Sequence, residues 1–189
     1  MSLEKLIRFS EIVGRLKTTK RSGWVSHVGI SNPESVADHS FRCAILAICI
    51  GDLSNIETEK LTRMLLLHDV QEALTGDYDH YAKMQMGIDK VKSKQRIAID
   101  EILSSLPEKL QSPYRSLWDE FENQTTPEAI LANDIDKIEM MMQALEYEEE
   151  GYEPAKLDVF WSEVKNKIKT PLVQDLFRFL INKRRVNRT

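Results

Sequence analysis

"LLLHDVQEALTGD", residues 65–77, decides both the fold and the chemistry of this chain. Leu65, Leu66 and Leu67 head into a core, yet they deliver His68 and Asp69 side by side, then Glu72 one turn later and Asp77 just past a Thr-Gly stop. Ionisable groups carried into an apolar setting cost free energy unless partners or a bound charge compensate them. Such a density of them points to a metal ion. On a helix, positions three and four apart share a face, so Glu72 falls beside both Asp69 and His68, while His68 and Asp69 diverge by about 100°. They can meet one ion only at the helix edge, with further ligands arriving from other helices.

The rest of the chain limits what such a site can belong to. At 189 residues and 42% hydrophobic it is long enough for one well-buried domain. Seven glycines and six prolines, with no low-complexity tract and no internal repeat, leave no linker at which to divide it. The expectation is a single domain over 1–189, with a metal-binding core at about 30–150 and helices over 154–184 packed on it. A net charge of -4 argues against binding nucleic acid through an overall basic field. The Lys183-Arg184-Arg185 run with Arg188 is expected to fringe the last helix. No stretch approaches a membrane span, and "MSLEKLIRFSEIVGRLK" interleaves charge where a signal peptide has an unbroken apolar core, so a cytoplasmic protein is expected. Cys43 and Cys49 fall in one helix with Cα atoms about 9 Å apart, too far for a disulfide, and are expected to be buried free thiols.

Periodicity gives helices almost everywhere. Leu6, Phe9, Val13 and Leu16, widened by Ile12, mark one from Ser2 to Leu16, followed by the polar loop "KTTKRSGW". Asn32 as cap and Pro33 at the first helical position open a second, through Val36, Phe41, Ala44, Ile45 and Ile48 to Gly51. A third runs from Glu57 to Gly76, a residue suited to the left-handed position past a helix end. Residues 78–87 read as irregular. Helices then follow from Ile88 to Leu106, from Leu110 to Phe121, from Thr126-Pro127 to Gly151, from Pro154 to Lys167 and from Thr170-Pro171 to Arg184. No stretch alternates with period two for long enough to be a strand, so the fold class is all-α.

Candidate partners for the His-Asp pair lie on the other helices. Asp38-His39 offers an imidazole from the second, and "NDIDKIEMMMQALEYE" offers Asp134 and Asp136. Periodicity places Asp134 nearer the centre of the stripe Leu131, Ile138, Met142 and Leu145, whereas Asp136 shares a face with Ala129, Ala132, Met140 and Gln143. Two imidazole nitrogens with two carboxylate oxygens suit one divalent ion such as Mn²⁺, Co²⁺, Fe²⁺, Ni²⁺, Zn²⁺ or Mg²⁺ better than Ca²⁺, which favours all-oxygen shells.

A histidine on one helix, a His-Asp dipeptide on the next and an aspartate on a later one resemble the HD-domain metal-dependent phosphohydrolases. "RSGW" before "PESVADHS", then "LLLHDVQEALTGD", then "DKIEMMMQALEYE" is similar to the branch that acts as 5′-deoxynucleotidases on deoxynucleoside 5′-monophosphates; the similarity runs from Leu6 to Glu150. The resemblance implies an HD-type helical bundle in which His39, His68, Asp69 and Asp136 hold the metal. It implies that Glu72 activates the attacking water, that Asp77 contacts the sugar or a water near it, and that Arg21 and Trp24 line the nucleotide pocket. It also favours a homodimer. Ser22-Gly23 separates Arg21 from Trp24, which are adjacent in part of the family, and "YDHYAK" follows Asp77 where prolines are frequent. His27 and His80 are not expected as ligands, Lys83 is expected to be solvated, Met140, Met141 and Met142 to be packing, and "EYEEEG" to be a solvated helix end. The alternative reading is another phosphohydrolase reaction at the same site, on a nucleoside triphosphate, a cyclic nucleotide or a non-nucleotide phosphate ester, with the absence of a basic cluster near the site weighing against a triphosphatase; an idle nucleotide- or protein-binding HD domain is the third.

Overall fold

The computed structural model describes residues 3–187; Ser2, expected in the first helix, and Arg188, expected at the basic end, lie outside them. The ten α-helices among the described residues are α1 (Leu3–Gly14), α2 (Val36–Asp52), α3 (Thr58–Leu67), α4 (Glu72–Thr75), α5 (His80–Met86), α6 (Ile88–Ser104), α7 (Glu108–Asn123), α8 (Pro127–Glu149), α9 (Pro154–Val164) and α10 (Pro171–Asn187). A 3-10 turn, Arg15–Lys17, and a π-helical turn, Trp24–Val28, complete the helical elements. The sole strand-like pairing among the described residues is one antiparallel bridge between Lys20 and Ser35, so the all-α expectation stands.

Helix α8 is the axis of the bundle. It packs against α2, α3, α7, α9 and α10, and buried side chains cover more than one of its faces, from Ala129, Ala132 and Ile135 to Leu131, Ile138, Leu145 and Tyr147. Small alanines let neighbouring helices approach closely. The apolar interior divides into two clusters: the larger gathers α2, α3, α8, α9 and α10, including Leu61, Met64 and Leu65. The smaller gathers α1, α4, α6 and α7 around Val70, Ile102 and Trp118. The segment His68–Gln71 therefore joins the two cores.

Several boundaries differ from the sequence expectation, each for a physical reason. The second helix starts at Val36, not Pro33, because the backbone of residues 34–36 is engaged elsewhere: Arg21 N–H donates to the Glu34 carbonyl (3.1 Å) and Val36 N–H to the Thr19 carbonyl (2.8 Å). Ser35 is the cap, in a reciprocal box with Asp38. The helix expected from Glu57 to Gly76 breaks after Leu67; Val70 and Glu72 donate to the carbonyls three residues back, and the chain resumes as α4. Residues 78–87, expected to be irregular, contain α5, capped by the Asp79 carboxylate accepting from Ala82 N–H (2.7 Å). The "KTTKRSGW" segment is not merely a loop, since its tryptophan opens the π-helical turn. Cys49 is exposed while Cys43 is buried, because six positions rotate a helical side chain about 120° from its starting face. The "EYEEEG" end is not wholly solvated, and the basic end does not simply fringe the bundle: the buried Arg184 donates from Nε to Glu148 Oε1 (2.6 Å) and lies over the Trp161 ring at 4.5 Å.

Close approach of α2 to α3 sets the scaffold for the pair of histidines. A Cβ at Gly51 would lie 2.7 Å from Thr58 Oγ1 and 3.1 Å from its Cβ. Gly51→Ala is expected to destabilise the protein by about 2 kcal/mol through overpacking, with partial recovery in the Gly51→Ala, Thr58→Ala double variant. Urea denaturation of the four proteins measures the coupling.

Candidate metal centre

Three elements bring the ionisable residues together. His39 comes from the first turn of α2, His68 and Asp69 from the break after α3, and Asp136 from the middle of α8. One ligand atom each from His39, His68 and Asp136 lie within 4.8 Å of one another. Asp69 Oδ2 stands 3.0 Å from His68 Nε2 and 3.8 Å from His39 Nε2, and Asp136 Oδ1 stands 3.1 Å from His39 Nε2. The break explains how adjacent residues reach one point: leaving the α-helical path lets Asp69 turn back towards its neighbour.

Second contacts fix how each ring presents itself. His68 Nδ1 lies 2.7 Å from the Leu65 carbonyl oxygen, which can only accept, so Nδ1 carries the proton and Nε2 offers a lone pair. That Nε2 is buried with no hydrogen-bond partner. Glu139, fully buried on α8, accepts from His39 Nδ1 and turns His39 Nε2 inward in the same way. Arg42 holds the far side of that carboxylate, Nε to Oε1 at 2.7 Å. Two imidazole lone pairs thus converge on two carboxylates, an arrangement of acceptors facing acceptors that a divalent cation resolves. The donor set fits a first-row ion, and the Glu139–His39 contact is the carboxylate–histidine pairing such sites use.

Without a cation, protons meet the same demand. Burial opposes ionisation of Asp69, yet His68, Arg21 and His39 outweigh it and hold the carboxyl well below the usual range. Asp136 behaves likewise, burial being overcome by His39 and His68. Burial also opposes charge on His68, but Asp69 overrides it and raises the imidazole pKa. Glu72 is the exception: burial, with Asp69 and Asp77 nearby, pushes its carboxyl well above the usual range. Its Oε2 has no hydrogen-bond partner.

A cavity of about 260 Å³ opens beside the cluster, with Asp69, Glu72, Asp77 and Asp136 on its wall. Arg21 enters it with Nη1 3.3 Å from Asp69 Oδ2. Trp24 is nearly all buried behind it, its Nε1 donating to Glu34 Oε1 (2.9 Å) and its ring 4.3 Å from that of Phe160. Asp77 accepts from Ser22 N–H and, at 3.0 Å, from Ser22 Oγ, which ties the loop after α4 to the Arg21–Trp24 segment. Val159, Phe160 and Val164 of α9 form an apolar wall, so a C-terminal helix shapes the pocket as well as packing on the core. The expectation that no basic cluster attends the site is not met: Arg21, Lys83, Lys137 and Lys167 all line this cavity.

The alternatives separate cleanly. Asp134 is buried, but its carboxylate accepts from Lys169 N–H (2.9 Å) and Thr170 N–H (2.7 Å) and so ties α8 to the turn before α10. Periodicity had favoured Asp134 because this second buried face is structural. His27 lies 3.9 Å from Asp79 and the exposed His80 lies 3.8 Å from Glu163; both line the cavity mouth outside the cluster. Cys43 joins His39 and Glu139 in a second possible group, but burial pushes its thiol up to about 12 and Arg42 occupies the glutamate. Glu139 and Arg42 were missed from the sequence. Their signal is spacing, Glu139 one turn beyond Asp136 and Arg42 one turn beyond His39, together with the need for a partner at the second nitrogen of a ligating histidine.

The family model described as HD domain matches residues 13–176. The chain belongs to the HD-domain family. A 5′-deoxynucleotidase of Dictyostelium discoideum, HDDC2, is 35% identical over 184 residues, spanning 92% of this chain and 95% of its own. The Homo sapiens 5′-deoxynucleotidase HDDC2 is 32% identical over 185 residues, spanning 96% and 87%. Among solved structures, a conserved hypothetical protein from Pyrococcus furiosus aligns with a TM-score of 0.77 at 28% identity, over 95% of this chain and 99% of its own. A "predicted metal-dependent phosphohydrolase" from Magnetospirillum magnetotacticum, 24% identical with a TM-score of 0.74 over 96% and 92%, shares the HD fold.

The two buried aspartates of this HD domain give opposite expectations. Asp134→Ala strands two backbone donors and should lower stability by about 3 kcal/mol while leaving metal content unchanged. Asp136→Ala should leave the fold intact and lose metal. Thermal unfolding and elemental analysis of both variants check the pair.

Proposed function

We propose that this HD-domain protein is a divalent-metal-dependent 5′-deoxynucleotidase, releasing inorganic phosphate from deoxynucleoside 5′-monophosphates. The observation that carries the reading is the unpaired His68 Nε2 facing Asp69 beside a cavity that also holds a buried carboxyl, Glu72, with a free oxygen. The relatives named 5′-deoxynucleotidase, aligned over nearly the whole chain, supply the substrate class.

His39, His68, Asp69 and Asp136 hold one divalent ion in this proposal. When bound, it supplies positive charge to the phosphate oxygens and makes water a stronger nucleophile near neutral pH. The other steps belong to side chains of the chain. Glu72, kept in a buried setting that raises its proton affinity, takes a proton from the attacking water. Arg21 stands beside Asp69 and donates its planar fork to phosphate oxygens. Trp24, pinned by Glu34 and packed on Phe160, gives a rigid wall for the nucleoside, and Asp77, held by Ser22, orients the sugar.

The basic residues on the cavity wall favour a second reading, a longer phosphate chain on the same nucleoside. The proposed enzyme acts as a homodimer in the cytoplasm. An exposed apolar row on α2, Phe41, Ile45 and Ile48, offers a surface for the second copy, and sedimentation of Phe41→Glu against the unchanged protein tests that use.

Protein stripped of metal and resupplied separately with Mn²⁺, Co²⁺, Mg²⁺ or Zn²⁺ is expected to release phosphate only with metal, and faster from deoxy- than ribonucleoside 5′-monophosphates. Release from triphosphates alone would favour the second reading, and no release from either would remove both. Glu72→Gln should keep the metal and lose about 100-fold or more in turnover; unchanged turnover would refute its role as base.

A further inference from the structure

A second cavity, of about 220 Å³, lies against the same cluster and shares Asp69, Glu72, Lys83 and Asp136 with the first. Its remaining wall comes from the His68–Gln71 break, α6 and α7: Gln71, Lys92, Gln95, Phe121 and Glu122 are its characteristic residues. Trp24 and Phe160 line only the first cavity, while the second has Phe121, whose ring packs on that of His68 at 5.1 Å. Beyond the shared carboxylates, the second chamber adds Glu122 and the apolar Ile88 and Val91, together with polar donors that suit water and a departing phosphate. Gln71 is buried, and its Oε1 accepts from Trp118 Nε1 (3.0 Å), which fixes the amide and leaves its N–H groups as donors. Lys83 and Lys92 add ammonium groups, Lys83 from the wall common to both cavities.

The geometry points to the second chamber as the entry side for the attacking water and the exit route for product phosphate, separate from the cavity that holds the nucleoside. This rests on the phosphomonoesterase reading of the site. In a phosphoryl transfer the attacking and leaving oxygens lie roughly in line through phosphorus. With the nucleoside in the first cavity and its phosphate at the cluster, O5′ points back towards Trp24 and Phe160. Water must then approach from the side away from O5′, the side this proposal assigns to the second chamber, whose wall also carries Glu72. The water oxygen bonds to phosphorus as the P–O5′ bond breaks; one water proton passes to Glu72 and O5′ takes up a proton from solvent to become the 5′-hydroxyl. Glu72 later returns its proton to solvent. The phosphate ends inverted, displaced towards the incoming oxygen and therefore towards Gln71, Gln95 and the two lysines. It can leave while the nucleoside still fills the other mouth.

The test follows phosphate release by metal-loaded enzyme in a single turnover, using a fluorescent phosphate reporter, with increasing free deoxynucleoside added. The expected rate constant for release stays unchanged up to saturating nucleoside. In Gln95→Phe, which fills the chamber, release should slow at least about threefold and become sensitive to nucleoside. Lys92 is exposed, so Lys92→Glu tests the route without disturbing the core; it should slow release about threefold at low salt, with the difference fading at high salt. Wild-type release that falls in proportion to added nucleoside would overturn the proposal, because a single shared mouth would then be in use. Calorimetric binding of inorganic phosphate to the metal-loaded protein provides an arm that does not depend on turnover. Binding that persists under saturating deoxynucleoside and weakens in Lys92→Glu supports the separate route even if no monophosphate is hydrolysed. Binding abolished by nucleoside sinks it.

Discussion

The hydrogen bond from His68 Nδ1 to the Leu65 carbonyl is the contact on which the site depends. A helix leaves the carbonyls of its last turn without intrahelical partners, and α3 ends at Leu67, so the imidazole takes one of them. That single bond decides which ring nitrogen carries the proton. It also commits the other nitrogen to a buried position whose close neighbour, Asp69 Oδ2 at 3.0 Å, is an ionised carboxylate that cannot donate to its lone pair. Ending the helix there frees Asp69 from the helical path, turns it back beside its neighbour, and begins a short new helix with Glu72 at its start. The leucines before the break and Val70 after it anchor the segment in two different hydrophobic clusters, so this polar turn is held from both ends.

The opposing wall obeys a similar logic through α8. A helix buried on more than one face can place two aspartates inside the protein for unrelated purposes. Asp134 satisfies the backbone before α10, and Asp136 faces His39. One turn beyond Asp136, Glu139 fixes the His39 ring and is itself fixed by Arg42, whose guanidinium continues to Glu146. This line of partners carries a buried carboxylate to the surface, which is how a glutamate without exposure avoids the full cost of desolvation. Glu72 is compensated only in part, by Arg21 and Lys83. Burial and two neighbouring carboxylates leave its charged form disfavoured, a cost to stability that makes the group a strong proton acceptor.

The pocket is assembled from elements distant in sequence. Segment 21–24 is tied to the loop after α4 by Ser22 and Asp77, α9 contributes Phe160 against Trp24, and α5 carries Lys83 to the wall between two cavities. Helix α5 buries none of its residues and is flanked by Gly76 and Gly87 at positive φ. It is held mainly by its Asp79 cap and by contacts with α6.

What the sequence determined by itself was the all-helical class and most helix positions, because periodicity is a local property. It also offered His39, His68, Asp69, Glu72 and Asp136 as candidates through a family resemblance, and the fold brings His39, His68 and Asp136 within reach of one another. The choice between Asp134 and Asp136 already exceeded periodicity, since a stripe of apolar residues cannot say which of two buried faces meets the other helices. Tertiary structure alone decided the break after Leu67, where two hydrophobic clusters pull adjacent residues apart. It also decided the late start of α2, whose first backbone groups pair with residues 19–21. Burial of Arg184 and Glu148, which composition suggested were solvated, required α10 to pack back onto α8. Glu139 and the lysines of the cavity wall were invisible for the same reason: their meaning lies in what they face, and partners 97 to 100 positions apart in the chain are brought together only by the packed fold.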